Sequence, residues 1–333
     1  MLRASQSTSK SPAEAVKYYR SALITNKTTD DLWEANIRTE MGKLLTRLKN
    51  KEAVAQLNRA DALFKKQKSL FGRIDARTAL ARYYEKTGSF TEAKKVYNDL
   101  YKLQLSSGEA VLAGNTAYYL TNYYLKKQNL AEAFNYADKA KDAYYFVCRR
   151  DSLASIYYTI AEIKKTQNKP KLAEYYLISH ALPYYRSSNN LEGRLRSFSF
   201  LGQIYREQKR YSEAKWFYLQ ANSQAKDIND TIGIINSLMH LSLVKIYIKD
   251  YHLAKQDLNE ATALAKETKN TALVNAFIKR NPVSFKKLES PALAAVTPKK
   301  EPVKLKVSVK KSSEKKPEET LPATIYAEAP KLK

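Results

Sequence analysis

Along most of this chain, apolar residues recur three, four and seven positions apart, and polar residues fill the gaps. That spacing gathers the apolar set on one face of an α-helix. No alternation of the strand type interrupts it between residues 11 and 280. Superposed on the helical period is a longer one. Seven alanines, Ala15, Ala53, Ala93, Ala133, Ala173, Ala214 and Ala254, stand 38, 40, 40, 40, 41 and 40 residues apart. Self-similarity at such a distance is the mark of stacked supersecondary units.

Each alanine sits in a recurring frame. Thirteen residues before it comes a branched aliphatic residue (Leu80, Leu120, Ile160, Leu201, Leu241), and a small or polar one follows at once (Ala81, Thr121, Ala161, Gly202, Ser242). Three before the alanine is a ring or aliphatic group: Phe90, Leu130, Pro170, Tyr211 or Tyr251. Seven after it another small residue often appears, as at Ala22, Ala60, Ala140, Ala221 and Ala261. Small residues let two helices approach closely, while large ones fill the space between them. Short polar breaks such as Lys86-Thr-Gly-Ser89, Lys127-Gln-Asn129, Gln167-Asn-Lys169 and Lys249-Asp250 predict helix ends and starts. The predicted unit is an antiparallel helix pair.

The frame resembles the tetratricopeptide repeat. Leu201-Gly-Gln-Ile-Tyr-Arg-Glu-Gln-Lys-Arg-Tyr-Ser-Glu-Ala214 looks like a consensus copy, and Leu80 to Ala93, with Tyr84, Gly88 and Phe90, is close to one. Ser242 and Thr121 replace the glycine elsewhere, and Lys164 and Lys245 stand where the family has tyrosine. The usual repeat is about 34 residues, so a 40-residue period implies helices longer by roughly three residues each. The resemblance implies an all-α fold: a right-handed α-solenoid of antiparallel helix pairs, a superhelix, followed by a disordered C-terminal tail. The expected organisation is a flexible N-terminus over 1–10, an array over 11–280 with six full helix pairs and a half unit at each end, and a tail over 281–333. The array is expected to form one elongated unit that stops at Pro282.

Composition fits a helical chain with a different end. Glycine is rare, 8 in 333 residues. The last 53 residues carry seven of the ten prolines and twelve lysines against six glutamates, with no glycine and no arginine. Such a segment has too little apolar content to fold alone. One piece, Val303-Lys-Leu-Lys-Val-Ser-Val-Lys-Lys311, alternates apolar with basic residues and has the pattern of a strand that adds to a partner's sheet edge.

The net charge of +25 raises the prospect of an acidic partner: nucleic acid, an anionic membrane surface or an acidic protein. Many of the cations fall at predicted helix ends (Lys86, Lys126, Lys127, Lys164, Lys165, Lys209, Arg210, Lys249), where the helix dipole accounts for them without a ligand. Lysines outnumber arginines 42 to 16, and bidentate phosphate or base recognition favours arginine. The 25 tyrosines suggest a stacking platform. Their arrangement as pairs (Tyr83-Tyr84, Tyr123-Tyr124, Tyr157-Tyr158, Tyr175-Tyr176, Tyr184-Tyr185) points instead to packing between helices, one ring inward and one hydroxyl near water.

Catalytic chemistry is not in the pattern. His180, His240 and His252 fit no metal-ligand spacing. Cys148 is the single cysteine, which excludes an intrachain disulfide and a cysteine-rich zinc site. Cys148 is expected on an ordinary helix face, and His180 in partly buried packing. Neither a phosphate-binding loop, a dinucleotide fingerprint nor a nucleophile elbow is present. The expectation is a non-enzyme without cofactor or metal.

In the family the first helix of each repeat lines a groove that takes an extended peptide or a partner helix. Carried onto this chain, the resemblance implies groove positions at Arg82, Asn115, Tyr118, Asn122, Tyr158, Glu162, Arg196, Gln203, Arg206 and Asn236. Asn and Gln hold backbone amides, and Arg forks onto a carboxylate. Tyr118 and Tyr158 stand where chaperone-tail-binding members carry lysine.

The leading expectation is a protein–protein interaction adaptor that binds a peptide or partner helix in this groove. Two alternatives stand beside it. One is a basic protein binding nucleic acid or an anionic surface; the other is a sensory repeat piece of a bacterial signalling system without its output domain. No apolar run approaches the roughly 20 residues that span a bilayer, and the N-terminus lacks the apolar core of a signal peptide. The expected compartment is the cytoplasm, with the periplasm as the alternative if an upstream leader has been removed.

Overall fold

The structure is a computed structural model in which residues 11–25 and 30–289 are described. The expected flexible N-terminus (1–10) and most of the expected tail, including Val303–Lys311, lie outside the described residues. Every regular element among the described residues is helical.

The helices are α1 (Pro12–Thr25), α2 (Asp31–Arg47), α3 (Glu52–Lys66), α4 (Leu70–Thr87), α5 (Phe90–Ser106), α6 (Ala110–Lys126), α7 (Leu130–Phe146) and α8 (Arg150–Thr166). They continue with α9 (Pro170–Tyr176), a π-helical turn (Leu177–Ala181), α10 (Leu182–Ser187), α11 (Leu191–Glu207), α12 (Tyr211–Asp227), α13 (Thr231–Tyr247), α14 (Tyr251–Glu267), α15 (Thr271–Arg280) and α16 (Pro282–Lys286), ending in a 3₁₀ turn (Lys287–Glu289). From α5 onward the usual element is a 17-residue helix, and three residues separate it from the next. Two such steps make the 40-residue period of the alanines.

The connections between helices share one geometry. A residue in the left-handed region occurs at positions 49, 68, 88, 108, 128, 148, 168, 189, 209, 229, 249 and 269, and only Gly88 and Gly108 among them are glycine. In each, the next amide reaches back to the carbonyl five residues earlier, as in Asn129 N to Tyr124 O (3.0 Å), Arg210 N to Tyr205 O (2.9 Å) and Asp250 N to Lys245 O (2.9 Å). This Schellman closure satisfies the last orphan carbonyls of one helix and turns the chain back for the next. Asn129, Asn190 and Asp250 then cap the following helix by accepting from Glu132 N, Gly193 N and Leu253 N. Cys148 belongs to this series. It is an exposed connection residue with φ of 52°, not a helix-face residue, because it falls on the left-handed position of its turn.

The interval of 41 has a structural cause. The segment from Pro170 to Ser187 has one residue more than the 17-residue elements, and the π turn at Leu177–Ala181 absorbs it. A π turn is one residue inserted in an α-helix, so the helix on either side keeps its face. The left-handed positions show the same step, 21 residues from Asn168 to Asn189.

The helices fall into two compact units divided between Ile156 and Tyr157, inside α8. In the first unit α1 lays Ala15, Val16 and Tyr19 against Ile37, Met41 and Leu45 of α2 and Leu57 of α3. Ladder alanines Ala15, Ala53 and Ala133 have no exposed surface. Gly42 lies against Leu57, near the shared end of α2 and α3, as antiparallel neighbours require. In the second unit Ala173, Ala214 and Ala254 are equally buried. Gly202 of α11 lies under the Tyr218 ring of α12, where a Cβ would meet ring carbons at 2.8 Å. Ile235, Leu238 and Met239 of α13 pack on Ala261 and Ala265 of α14 and Val274 of α15.

The second unit does not stop at Pro282. Proline cannot continue α15, but its fixed φ suits a helix start, and it opens α16. Phe285 and Leu288 are buried against Leu243, Ile246 and Ala254. Burial of two such side chains stabilises by about 1.5–3 kcal/mol each. Lys245, which takes a tyrosine place in the repeat frame, is also buried and meets Asp257 Oδ2 at 2.6 Å.

Four of the five tyrosine pairs divide as the frame predicts. Tyr83, Tyr124, Tyr158 and Tyr185 are buried, while Tyr84, Tyr123, Tyr157 and Tyr184 keep partial exposure. Tyr175 and Tyr176 are both half-buried. They surround His180, whose ring stacks on Tyr157 at 4.5 Å.

Candidate functional site

The groove positions divide between the units. Arg82 on α4 and Asn115, Tyr118 and Asn122 on α6 belong to the first. Arg82 and Asn115 are exposed, and Tyr118 and Asn122 are half-buried. Two of them already serve the fold. Asn115 Oδ1 accepts from the Tyr144 hydroxyl (2.8 Å), and Asn122 Nδ2 donates to the Tyr118 carbonyl (3.1 Å). Arg82 acts electrostatically on Glu85, whose carboxyl is raised by burial.

In the second unit, five of the remaining six line one open cleft of about 510 Å³. Tyr158 and Glu162 come from α8, Arg196 and Gln203 from α11, and Asn236 from α13. These are the first helices of three successive pairs, and the residues on each are four or seven apart, so one helical face presents them. Arg206 is near but not in the lining; its charge acts on Tyr218 and His240.

The lining is chemically mixed. Leu195, Phe200 and Ile232 supply apolar surface, with the Tyr158 and Phe200 rings 5.6 Å apart. The Arg196 guanidinium lies over the Tyr158 ring at 4.7 Å. Burial pushes the Tyr158 hydroxyl up to about 12, the nearby Glu162 adding to the effect. Gln203 Nε2 donates to Glu207 Oε1 (2.9 Å). The Glu162 carboxyl has no ion pair or hydrogen bond among the described residues, and burial raises it above the usual carboxylate range against the opposing pull of Arg196.

His240 forms part of the cleft wall and is the functional candidate that family spacing missed. Its ring stacks on Tyr218 (4.8 Å, 3°) and meets Phe277 edge-on (4.8 Å). Its Nδ1 is buried without a hydrogen-bond partner. Desolvation, with the Arg206 charge behind it, depresses the imidazole to about 3, so it is neutral at physiological pH. The sequence did contain a signal: His240 is 40 residues after Phe200, as Asn236 is 40 after Arg196, so the period carries these two lining positions of α11 onto α13.

The cleft inverts the charge of the chain. Against a net +25, its lining has two carboxylates, Glu162 and Asp230, and one guanidinium, Arg196. No group of three or more His, Cys, Asp or Glu residues among the described residues is placed to hold a metal ion. Nor is any helix among them long and apolar enough to cross a membrane.

Comparisons with known proteins agree on the architecture. The family model described as Tetratricopeptide repeat matches residues 74–106 and 195–227. No curated protein sequence matches the chain. Among solved structures, the apo form of RapI is similar over 86% of this chain and 80% of that one, at 13% identity and a TM-score of 0.61. BtubC from P. vanneervenii is similar over 69% of this chain and 92% of its own (16% identity, TM-score 0.53). A signal transduction ATPase with numerous domains and a tetratricopeptide repeat sensor, from Pyrococcus horikoshii, matches 85% of this chain with 45% of its own length (16% identity, TM-score 0.53). At such identities the likeness is one of fold. The family model identifies two tetratricopeptide repeats, at 74–106 and 195–227, and the same frame and helix pairing recur around them.

Proposed function

We propose that the protein is a non-catalytic adaptor whose second unit holds an extended segment of a protein partner in the cleft formed by α8, α11 and α13. The observation that carries this reading is the convergence of Tyr158, Glu162, Arg196, Gln203 and Asn236 with the unpartnered His240 on one open surface. Asn236 and Gln203 suit the amides and carbonyls of an extended backbone. Leu195, Phe200 and Ile232 suit an apolar side chain beside it. A polyanion is a poor match for a lining in which carboxylates outnumber cations, so the basic charge outside the cleft does not argue for nucleic acid within it.

The test is affinity capture from the native host with the tagged full chain, comparing wild type with Arg196→Ala/Asn236→Ala. Both side chains are exposed, so the helical signal in circular dichroism should not change. A partner bound in the cleft is recovered by wild type and lost with the double variant. Equal recovery from the two chains removes the reading.

A further inference from the structure

The Glu162 carboxyl is half-buried, has no ion pair among the described residues, and lines a cleft that also presents Leu195, Phe200 and Ile232. A carboxylate in that setting selects a cation, and more so when the cation arrives on an apolar chain. The imidazole of His240 in the same wall is neutral and does not compete for the position.

Such a cation lies close by in the chain itself. The 3₁₀ turn that ends at Glu289 is fastened beside the cleft. Phe285 meets Phe277 with ring centroids 5.9 Å apart, and Phe277 meets His240 at 4.8 Å. Fourteen residues after Glu289 begins Val303-Lys-Leu-Lys-Val-Ser-Val-Lys-Lys311, with four lysines, four branched apolar residues and no carboxylate. A connection of 14 residues spans up to roughly 48 Å when extended, ample for a start two aromatic rings from the cleft wall. A tethered segment also meets its site at an effective concentration on the order of millimolar, so weak contacts suffice.

We propose that the segment Val303–Lys311 of this same chain occupies the cleft of the second unit, with a lysine against Glu162 and its valines and leucine over Leu195, Phe200 and Ile232. This rests on the reading of the cleft as a peptide site and adds an occupant: the chain competes with its partner for its own groove. A partner then gains access only by outbidding the tail.

The test uses the full chain and zero-length carbodiimide crosslinking of a mixture of ¹⁵N-labelled and unlabelled protein at micromolar concentration. The expected product links Glu162 to Lys304, Lys306, Lys310 or Lys311 within one isotopic copy, and Glu162→Gln removes it. Links only between unlike copies show a second chain in the cleft and overturn the proposal, as does the absence of any Glu162 link. A second measurement titrates a fluorescein-labelled Val303–Lys311 peptide into wild type and into the full chain with all four lysines changed to glutamate. The charge-reversed chain, its cleft vacated, is expected to bind about tenfold more tightly, and adding Glu162→Gln to it to weaken binding by about tenfold, the ratio of one charged hydrogen bond. Equal binding by wild type and the charge-reversed chain overturns occupancy by the chain's own tail. If partner capture still depends on Arg196 and Asn236 in that case, the adaptor reading stands and only the internal occupant falls.

Discussion

Five of the left-handed connection residues are lysines: Lys49, Lys68, Lys209, Lys249 and Lys269. Their φ values lie between 54° and 64°, a region in which the Cβ of an L-residue crowds the following carbonyl, at a cost of roughly 1–2 kcal/mol per residue. All five are exposed, and none makes an ion pair or side-chain hydrogen bond among the described residues, so glycine at these sites removes strain without removing a contact. Glycine brings its own penalty, roughly 0.5–1 kcal/mol of extra backbone freedom in the unfolded chain. The balance is a gain of about 0.5–1 kcal/mol for each Lys→Gly, and about 2 kcal/mol for Lys209→Gly/Lys249→Gly/Lys269→Gly in the second unit, the sites being far enough apart to add. Urea unfolding followed by far-ultraviolet circular dichroism reads the change as a shift of midpoint at constant slope. Lys209→Gln removes the charge and keeps the strain, and is expected to leave the midpoint in place. Gly88 and Gly108, both with φ of 78°, provide the reverse case: an added Cβ meets nothing within 4 Å, so Gly88→Ala loses stability through conformation alone, by about 1 kcal/mol. If the Lys→Gly variants prove neutral or destabilised while Gly88→Ala costs nothing, left-handed strain is not what these connections carry.

Other expectations follow from single features. Deleting exposed Ser179 from the π turn should leave a regular helix with both flanks in register and a folded chain, whereas deleting exposed Ser223 from α12 rotates every later residue of that helix by about 100° and should cost several kcal/mol in urea unfolding. Lys245→Met strands Asp257 in a buried site and should destabilise the second unit by about 3–5 kcal/mol, with Lys245→Met/Asp257→Leu recovering most of the loss by calorimetry. The folded imidazole of His240 titrates near 3, below its unfolded value of 6.5, so the unfolded state binds the extra proton between these limits and stability is lost as the pH is lowered from 6.5 towards 3. His240→Phe should flatten this part of a stability-versus-pH curve, and an unchanged slope would place the dependence elsewhere.

The alanine ladder made the helix pairs legible because a helix crossing tolerates only a small side chain at its point of closest approach. Six of the seven ladder alanines have no exposed surface, and Ala93 has 4%. The connections were legible where Gly88, Asn129 and Asp250 carry turn or cap chemistry, but not as a left-handed series. Lysine, glutamine and cysteine at those sites have no propensity to announce them; the backbone closure imposes the conformation. The interval of 41 was visible but carried no meaning until the π turn supplied one. Pro282 misdirected the reading for a physical reason, since proline ends one helix and starts the next equally well, and only the burial of Phe285 and Leu288 shows which happened. The cleft positions that family spacing indicated were polar residues on first helices. The period carries Phe200 onto His240 and so marks the position, but the burial and neutrality of the ring depend on Tyr218, Phe277 and Arg206, which are distant from it in sequence.

The π turn also sets a rule for how such a chain can change length. One extra residue within a helix is swallowed where it arises, and every interface beyond Ser188 keeps its phase. Forty residues can enter or leave as a complete pair, since the chain then resumes in the same direction and on the same face. Twenty residues restore the turn geometry but reverse the direction of all that follows, exchanging the first helices of the pairs for the second. Insertions and deletions in this chain are therefore quantised, and a variant's tolerance can be read from its length before any side chain is considered.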